Sequence, residues 1–235
     1  MCNDSDKHQD TLEPTVVNSP IAFFDLDLTL LSVNSATPWI KSEYKLGYVS
    51  LWQVIKAAYW LTRYHFGASS MEGALRSAIK SLRGQDAQAF QDRMTKFFNE
   101  QVKHKVRPGA LKQIAEHKSQ GHLCYLCTNA TDMLAQLFVD ELQLDGMICN
   151  GFAVEQGKFN GEPKGLLCFG SGKLILAKRL IQNSSISLTQ CYFYTDSYSD
   201  LPLLAQVGQP VVVHPDQKLR KEAQKRTWPI VDWGS

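Results

Sequence analysis

Two carboxylates stand two residues apart in this sequence, in a position where they could act on a reacting group. Asp25-x-Asp27-x-Thr29 comes directly after the apolar run Ile21–Phe24. Carboxylates beside apolar surroundings are costly unless a cation, hydrogen-bond donors or solvent stabilises them. The pattern fits two interpretations equally well. One is a metal-assisted catalytic pair, and the other is a strand-ending turn capped by Asp and Thr.

A second acidic cluster has the same setting further along the chain. Asp196 and Asp200 follow the apolar run of residues 191–194. If the two clusters end neighbouring strands, they could share one hard cation through oxygen ligands, which is typical of Mg²⁺. The sequence therefore predicts a candidate magnesium site at which distant carboxylates meet.

Short apolar runs alternate with helical patterns, and these elements must position the acidic residues. The runs cover residues 21–24, 123–127, 191–194 and 211–213, and the helical patterns cover residues 110–120, 132–142, 173–182 and 201–207. Alternation of this kind predicts an α/β fold with a parallel sheet. Ligands in such sheets bind beyond the carboxyl ends of the strands, where the polar residues would gather.

The alternation is interrupted after the first strand. Residues 35–105 contain amphipathic helical stretches and no convincing strand, and Arg107-Pro108-Gly109 indicates the return to the sheet. Residues 151–162 alternate around Gln156-Gly157 as a β-hairpin would. We expect a flexible tail at 1–19, a core formed by 20–34 and 106–235, and a helical insertion at 35–105.

Four short motifs occur in a fixed order between residues 21 and 204. They are IAFFDLDLT with Asp25, Asp27 and Thr29, LCYLCTN with Thr128, GSGK with Lys173, and CYFYTDSYSD with Asp196 and Asp200. Together they resemble the haloacid dehalogenase (HAD) superfamily, in particular subfamily IB, which is phosphoserine-phosphatase-like. The resemblance implies a Rossmann-like, doubly wound parallel sheet with a small β-hairpin. It also implies that the helical insertion is a cap of the C1 type.

The resemblance also implies an activity, namely Mg²⁺-dependent hydrolysis of a small organic phosphomonoester through an aspartyl-phosphate. By this resemblance Asp25 is the nucleophile and Asp27 is the general acid and base. Mg²⁺ would be bound by Asp25, Asp196 and the carbonyl of Asp27, and Asp200 would orient Lys173 or a metal-bound water. The phosphate would be bound by Thr29, Thr128, Asn129 and Lys173. Two residues depart from the family pattern, because Leu28 and Thr195 stand where glycine is usual. Leu28 adds bulk and a φ restriction beside the expected nucleophile.

Composition excludes several other classes of protein. The 235 residues carry a net charge of +2, which gives no large field for attracting nucleic acid. The first twenty residues do not read as a secretory signal, and no run of about 18 apolar residues indicates a membrane span. Six cysteines without an export signal are expected to stay reduced. We expect a soluble, cytoplasmic protein whose partner is a small molecule.

Two other functional interpretations of short motifs are not supported by the residues. GSGK around Lys173 lacks the glycine and hydroxyl residues that a nucleotide-binding P-loop requires. Cys124 and Cys127 have the spacing of a redox or zinc pair, but inside one strand they would point to opposite faces. We expect both to be core residues.

Other functions remain open at this level. A phosphotransferase would use the same aspartyl-phosphate, a receiver-like switch would hold it without turnover, and a catalytically inactive scaffold would not form it. The aromatic stretch at 51–66 in the insertion favours packing over a substrate wall, and contact with a membrane surface is less favoured still. The sequence names neither the substrate nor the oligomeric state.

Overall fold

The computed structural model describes residues 18–52, residue 55 and residues 71–234. Within these residues, seven strands form one sheet in the order β4-β3-β2-β1-β5-β6-β7. The strands are β1 (Ile21–Phe24), β2 (Leu123–Thr131), β3 (Gly146–Glu155), β4 (Lys158–Lys164), β5 (Tyr192–Thr195), β6 (Gln209–Val213) and β7 (Ile230–Val231). All neighbouring pairs are parallel except β3 and β4.

The central strand β1 is buried on both faces. All four of its residues are inaccessible to solvent, with Ala22 and Phe24 in the hydrophobic core on one face and Ile21 and Phe23 in the core on the other. Its parallel neighbours are β2 and β5. The carboxyl end of β1 therefore lies between the ends of two other strands, where a ligand site is expected.

Helices cover both faces of the sheet. They are α1 (Ala36–Lys45), α2 (Met71–Ser81), α3 (Ala87–Phe97), α4 (Pro108–Ser119), α5 (Asp132–Leu142), α6 (Ser171–Ile181), α7 (Leu201–Leu204) and α8 (Gln217–Lys225). Apolar residues of α4 and α5 pack into the core on one face, and those of α6, α7 and α8 pack into the core on the other. The expected doubly wound, Rossmann-like α/β fold is confirmed.

The β-hairpin is also present, but its first strand is longer than the sequence indicated. β3 begins at Gly146, pairs in parallel with β2 through Asn150, and then pairs with β4 around Gln156 and Gly157. Gly146 and Asn150 interrupt the apolar character of this strand, which explains why its parallel half was missed. The two-residue strand β7 was missed because it is too short to show a period.

The insertion leaves and rejoins the core at adjacent points. Leu31 forms an isolated bridge with Val106, supported by hydrogen bonds from Ser32 N to Lys105 O (2.9 Å) and from Arg107 N to Leu30 O (2.8 Å). We call these paired segments the neck. Its position supports domain boundaries near 34/35 and 105/106, which remain a prediction.

A second contact joins the insertion to the hairpin. Gly84 N donates to Phe159 O (2.8 Å), Phe159 N donates to Gln85 O (3.0 Å), and Ala87 N donates to Gly157 O (2.9 Å). The Phe90 ring meets the Phe159 ring edge-on at 5.3 Å beside them. We call this contact between residues 84–87 and 157–159 the side pairing, because it adds a short segment to the free edge of β4.

Some expectations concern residues outside this description. The tail expected at 1–19 falls mainly on residues 1–17, and most of the aromatic stretch at 51–66 is likewise not described. Cys124 and Cys127 lie in opposite cores, as their spacing indicated. Among the described helices, none is long and apolar enough to cross a bilayer.

Candidate active site

The first acidic motif forms a wide turn directly after β1. Asp25 N donates to Tyr194 O of β5 (2.9 Å), and Leu31 N closes the turn on Leu26 O (2.9 Å). The side chain of Asp25 is buried at the strand end. Asp27 is partly buried, and its Oδ1 accepts a hydrogen bond from Ser35 N (2.7 Å). Both carboxylates are therefore held at the carboxyl edge of the sheet.

Leu28 takes a backbone conformation that favours glycine. Its φ is 60° and its ψ is −6°, in the left-handed region, and its side chain is 39% exposed. A Cβ in this region approaches the neighbouring carbonyl oxygen, which costs about 1–2 kcal/mol. The sequence expectation that glycine would suit this position is thus supported by the geometry of the turn.

Replacing Leu28 with glycine should therefore leave the protein at least as stable as the natural chain. Relief of about 1–2 kcal/mol of backbone strain is offset by about 0.5–1 kcal/mol of glycine's extra chain entropy. Leu28→Ala keeps the strain without the leucine side chain, so it should be about 1 kcal/mol less stable than Leu28→Gly. Urea unfolding of both variants measures the difference, and a Leu28→Gly variant less stable than Leu28→Ala would show that the turn is unstrained.

A buried ion pair joins the first motif to the third and fourth. Lys173 Nζ lies 2.8 Å from Asp25 Oδ1 and 2.7 Å from Asp200 Oδ2, and all three side chains are buried. Lys173 lies in the first turn of α6, whose start packs tightly on the preceding loop. A Cβ on Gly172 would meet Leu167 O at 2.0 Å, so glycine is required there. The GSGK motif thus brings the ammonium group to Asp25.

Thr195 replaces a usual glycine and has a definite contact. Its hydroxyl donates to Asp200 Oδ2 (2.7 Å), the oxygen that also accepts from Lys173. It also accepts a hydrogen bond from Ser197 N (3.2 Å), which shapes the turn after β5. Asp200 is therefore fixed from two sides and can hold Lys173 in place, as expected for a supporting residue.

Thr128 and Asn129 lie in an irregular part of β2. The pairing of β2 with β3 shifts register between Cys127 and Thr131, and such bulges re-aim side chains at strand ends. Thr128 is buried and accepts a hydrogen bond from Ala130 N (3.1 Å), whereas Asn129 is exposed. The bulge thus presents both residues at the edge where Asp25 lies.

Thr29 contacts a carboxylate of the site, and its expected role in phosphate binding stays a prediction. Its buried hydroxyl donates to Asp196 Oδ1 (3.2 Å), so it holds a carboxylate and does not present this hydrogen to a phosphate. Asp196 is otherwise anchored through its backbone, where its carbonyl accepts from Asp216 N (2.8 Å). The contact joins the first motif to the fourth and places Asp196 beside Asp25.

Sequence reasoning missed Asn150 and Arg107. The Asn150 side chain is buried, donates to Asn129 O (2.7 Å) and accepts from Cys168 N (2.8 Å), and so it ties the Thr128 bulge to the loop before α6. No sequence motif includes Asn150, which is visible in the sequence only as a single amide residue after an apolar run. Arg107 is buried and donates to Gly234 O, and the Arg107-Pro108-Gly109 signal indicated only an element boundary.

The site has more buried carboxylates than buried cations. Burial raises the pKa of Asp25 to about 7 against the lowering effect of Lys173, and Asp200 adds to the rise. Burial likewise raises the pKa of Asp196 to about 8, with the charges of Asp25 and Asp200 adding to it. Burial lowers the pKa of Lys173, but Asp200 and Asp25 together raise it well above its ordinary value. Lys173 therefore stays charged and only partly neutralises its neighbours.

This donor set fits a hard divalent cation. Among the described residues, the hydrogen bonds to the side chains of Asp25 and Asp196 use Oδ1 of each, which leaves both Oδ2 atoms for another partner. In the part of the chain that the structure describes, no cluster of three or more His, Cys, Asp or Glu side chains could hold a metal ion by itself. A cation would thus rely on two carboxylates, a backbone carbonyl and water, which is the kind of oxygen set that Mg²⁺ accepts.

Comparison with known proteins agrees with this geometry. A family model described as haloacid dehalogenase-like hydrolase matches residues 22–205, which include the site residues of all four motifs. The chain belongs to the haloacid dehalogenase-like hydrolases. Its relatives in this family include a probable phosphatase of Mycobacterium tuberculosis, 29% identical over 217 residues that cover 90% of this chain and 75% of the relative. A phosphoserine phosphatase of the same organism is 25% identical over 225 residues, covering 94% of this chain and 73% of the relative.

Solved structures of low identity share the fold of this haloacid dehalogenase-like chain. A Bordetella pertussis protein of unknown function has a TM-score of 0.84 at 23% identity, covering 93% of this chain and all of that one. A phosphoserine phosphatase solved as a phospho-aspartyl intermediate analogue has a TM-score of 0.68 at 16% identity, covering 93% and 95%. The family match and the named relatives confirm the expected class, a phosphatase of phosphoserine-phosphatase-like type.

Proposed function

We propose that the protein hydrolyses small organic phosphomonoesters in a Mg²⁺-dependent reaction through an aspartyl-phosphate on Asp25. The contact that carries the proposal is the one between Lys173 Nζ and Asp25 Oδ1, at 2.8 Å. It brings residues 148 positions apart into a buried site that Thr29 extends to Asp196. The phosphoserine phosphatase among the relatives makes phosphoserine one candidate substrate.

Positive charge is needed before a carboxylate can attack a phosphate. Two unit charges of like sign at 4 Å repel by about 4 kcal/mol at an effective dielectric constant near 20. Lys173 supplies one positive charge at Asp25, but it also pairs with Asp200. Asp25, Asp196 and the carbonyl of Asp27 would hold Mg²⁺. When bound, the ion would neutralise charge on the phosphoryl oxygens.

The reaction proceeds in two displacements. In the first, a carboxylate oxygen of Asp25 bonds to phosphorus while the bond from phosphorus to the ester oxygen breaks, and protonated Asp27 donates its proton to the leaving alkoxide. In the second, Asp27 takes a proton from water, which attacks phosphorus and releases inorganic phosphate from Asp25. Thr128 and the backbone N–H of Asn129 would bind the transferring oxygens.

The environment of Asp27 suits an acid that must keep its proton. Burial raises the pKa of Asp27, although the hydrogen bond from Ser35 N lowers it. A raised pKa leaves a larger protonated fraction near neutral pH, which a general acid requires. Lys173 lowers the pKa of Asp27 only as a smaller contribution.

Asp27→Asn should slow the release of poor leaving groups far more than that of good ones. An alkoxide needs the proton, whereas nitrophenolate leaves readily without it, and general acid catalysis typically contributes about 10²–10⁴-fold. Single-turnover rates with an alkyl phosphate and with nitrophenyl phosphate measure the contrast. Equal losses on both substrates would contradict the acid role of Asp27.

A substrate panel tests the proposed function directly. Phosphoserine, other amino-alcohol phosphates, sugar phosphates and glycerol phosphates are assayed for released inorganic phosphate, before and after EDTA treatment and after Mg²⁺ is restored. We expect hydrolysis of at least one ester, a loss of rate on chelation, and recovery with Mg²⁺. Full activity in EDTA would reject the metal requirement, and absence of hydrolysis across the panel would reject the substrate class.

A further inference from the structure

The insertion carries an apolar surface that faces solvent. Its members are large apolar or aromatic side chains with exposed fractions between 46% and 74%: Tyr44, Leu46, Tyr48, Leu51, Trp52 and Ile55. We call these six residues the outer patch. Among them Trp52, at 74%, contacts little of the protein. Exposed apolar side chains close together in a chain usually mark an interaction surface.

The outer patch is not the packing face of α1, because α1 packs against the rest of the insertion through another face. Trp39 meets the rings of Phe90 and Phe97 at 5.3 and 5.2 Å. One turn later on the same face, Glu43 is buried against Arg93, with contacts of 2.8 and 3.0 Å. The insertion thus has a satisfied inner side. Tyr48 joins the outer patch to this side, because its ring stacks on the Arg93 guanidinium at 3.6 Å, and the other five members of the patch are additional to it.

The exposed charges of α1 beside the outer patch are of one sign. Lys41 and Lys45 of α1 are exposed, whereas the acidic residue of that helix, Glu43, is buried and paired with Arg93. Any surface that covers the outer patch therefore meets positive charge, and a negatively charged surface is favoured.

We propose that the outer patch rests on an anionic lipid surface. Trp and Tyr beside Leu and Ile are the side chains that settle at the boundary between headgroups and acyl chains, and nearby lysines add attraction to anionic lipids. The surface lies on the bilayer and does not cross it. The inference concerns binding alone, so it stands or falls independently of the proposed phosphatase reaction.

A second copy of the chain fits the outer patch less well. In a two-fold dimer the same patch faces itself, so Lys41 and Lys45 would approach their own counterparts. The acid beside them, Glu43, is already buried against Arg93 and is not available to compensate. Anionic headgroups provide this compensation without any matching protein surface.

Cosedimentation of the full chain with vesicles tests the inference. We expect binding to phosphatidylcholine vesicles that contain phosphatidylglycerol, weaker binding to pure phosphatidylcholine, and loss of the difference at high salt. Leu51→Ser removes a leucine that is 58% exposed in the outer patch. It should weaken partitioning by about tenfold, since burial of one such side chain corresponds to about one to two orders of magnitude.

Matched variants separate the outer patch from general surface effects. Leu111→Ser removes a leucine that is 49% exposed on α4, and it should bind vesicles like the natural chain. Lys41→Gln with Lys45→Gln should weaken binding to anionic vesicles, whereas Lys218→Gln with Lys221→Gln on α8 should not. Melting temperatures of all variants confirm that each is folded.

Three results would overturn the inference. They are failure of the natural chain to bind anionic vesicles, equal losses in the Leu51→Ser and Leu111→Ser variants, and a stable dimer in solution that Trp52→Ser dissociates. The last result would assign the outer patch to self-association.

Discussion

Replacing Asp25 with asparagine should abolish turnover while the protein stays folded. The amide cannot attack phosphorus, so the two-step route is lost and the rate should fall by at least about 10⁴-fold. Lys173 keeps its contact with Asp200 in this variant, so no buried ammonium is left unpaired. Steady-state release of phosphate from the best substrate of the panel measures the loss.

Asp140→Asn is the matched control for this substitution. Asp140 is exposed on α5 and accepts a hydrogen bond from Gln136 (2.8 Å), so the same chemical change there should leave turnover unaltered. In the natural chain, rapid quenching with a radiolabelled ester should trap label on the protein, and Asp25→Asn should trap none. Phosphatase activity within tenfold of the natural rate in Asp25→Asn would end the assignment of Asp25 as nucleophile.

Lys173→Met should have the largest effect on stability as well as on activity. The substitution leaves Asp25 and Asp200 buried without their cation, and breaking a buried pair in this way typically costs about 3–5 kcal/mol. Phosphate hydrolysis should also be lost, because the positive charge at Asp25 disappears. Urea unfolding in EDTA measures the stability without interference from metal.

A double variant distinguishes the structural effect from the chemical one. Asp200→Asn combined with Lys173→Met removes one unpaired carboxylate, so it should recover part of the lost stability and none of the activity. The interaction energy between the two positions should be clearly non-zero, as expected for groups 2.7 Å apart. Strictly additive stability losses would show that the ion pair does not hold the site together.

The stability of Lys173→Met should fall further as the pH rises. Loss of the ammonium raises the pKa of the nearby Asp25 beyond its value of about 7, so the folded state binds a proton more tightly than the unfolded state. A carboxyl group of this kind stabilises the fold at low pH and ceases to do so as pH rises through its folded pKa. Below about pH 7 Asp25 is protonated in both folded proteins, so the gap between variant and natural chain should widen only as the pH rises above about 7. A constant gap would contradict the assigned cause.

The core of the fold was readable from sequence because it depends on short, local patterns. The run Ile21–Phe24 before Asp25 predicts a buried strand with acids at its end, and this requires no knowledge of distant residues. Lys173 was found through motif order, and its contact with Asp25 was seen only in the structure. The parallel half of β3 could not be found, because Gly146 and Asn150 disrupt its hydrophobic pattern.

Contacts between motifs were less accessible to sequence reasoning. The hydroxyl of Thr29 turned out to hold Asp196, and the hydroxyl of Thr195 fixes Asp200. A hydroxyl hydrogen bond depends on atomic positions within about 3 Å, which neither composition nor spacing can specify. Asn150 is the extreme case, because it joins two loops of the site from a strand that the sequence did not reveal.

The side pairing between residues 84–87 and 157–159 limits how the insertion can move relative to the sheet. Its three backbone hydrogen bonds are worth about 1 kcal/mol each, so separating the insertion from the hairpin would cost about 3 kcal/mol and leave under about 1% of molecules detached. Bending at the neck alone is therefore unfavourable. A motion that takes the insertion away from the core must therefore carry β4 along with the helices.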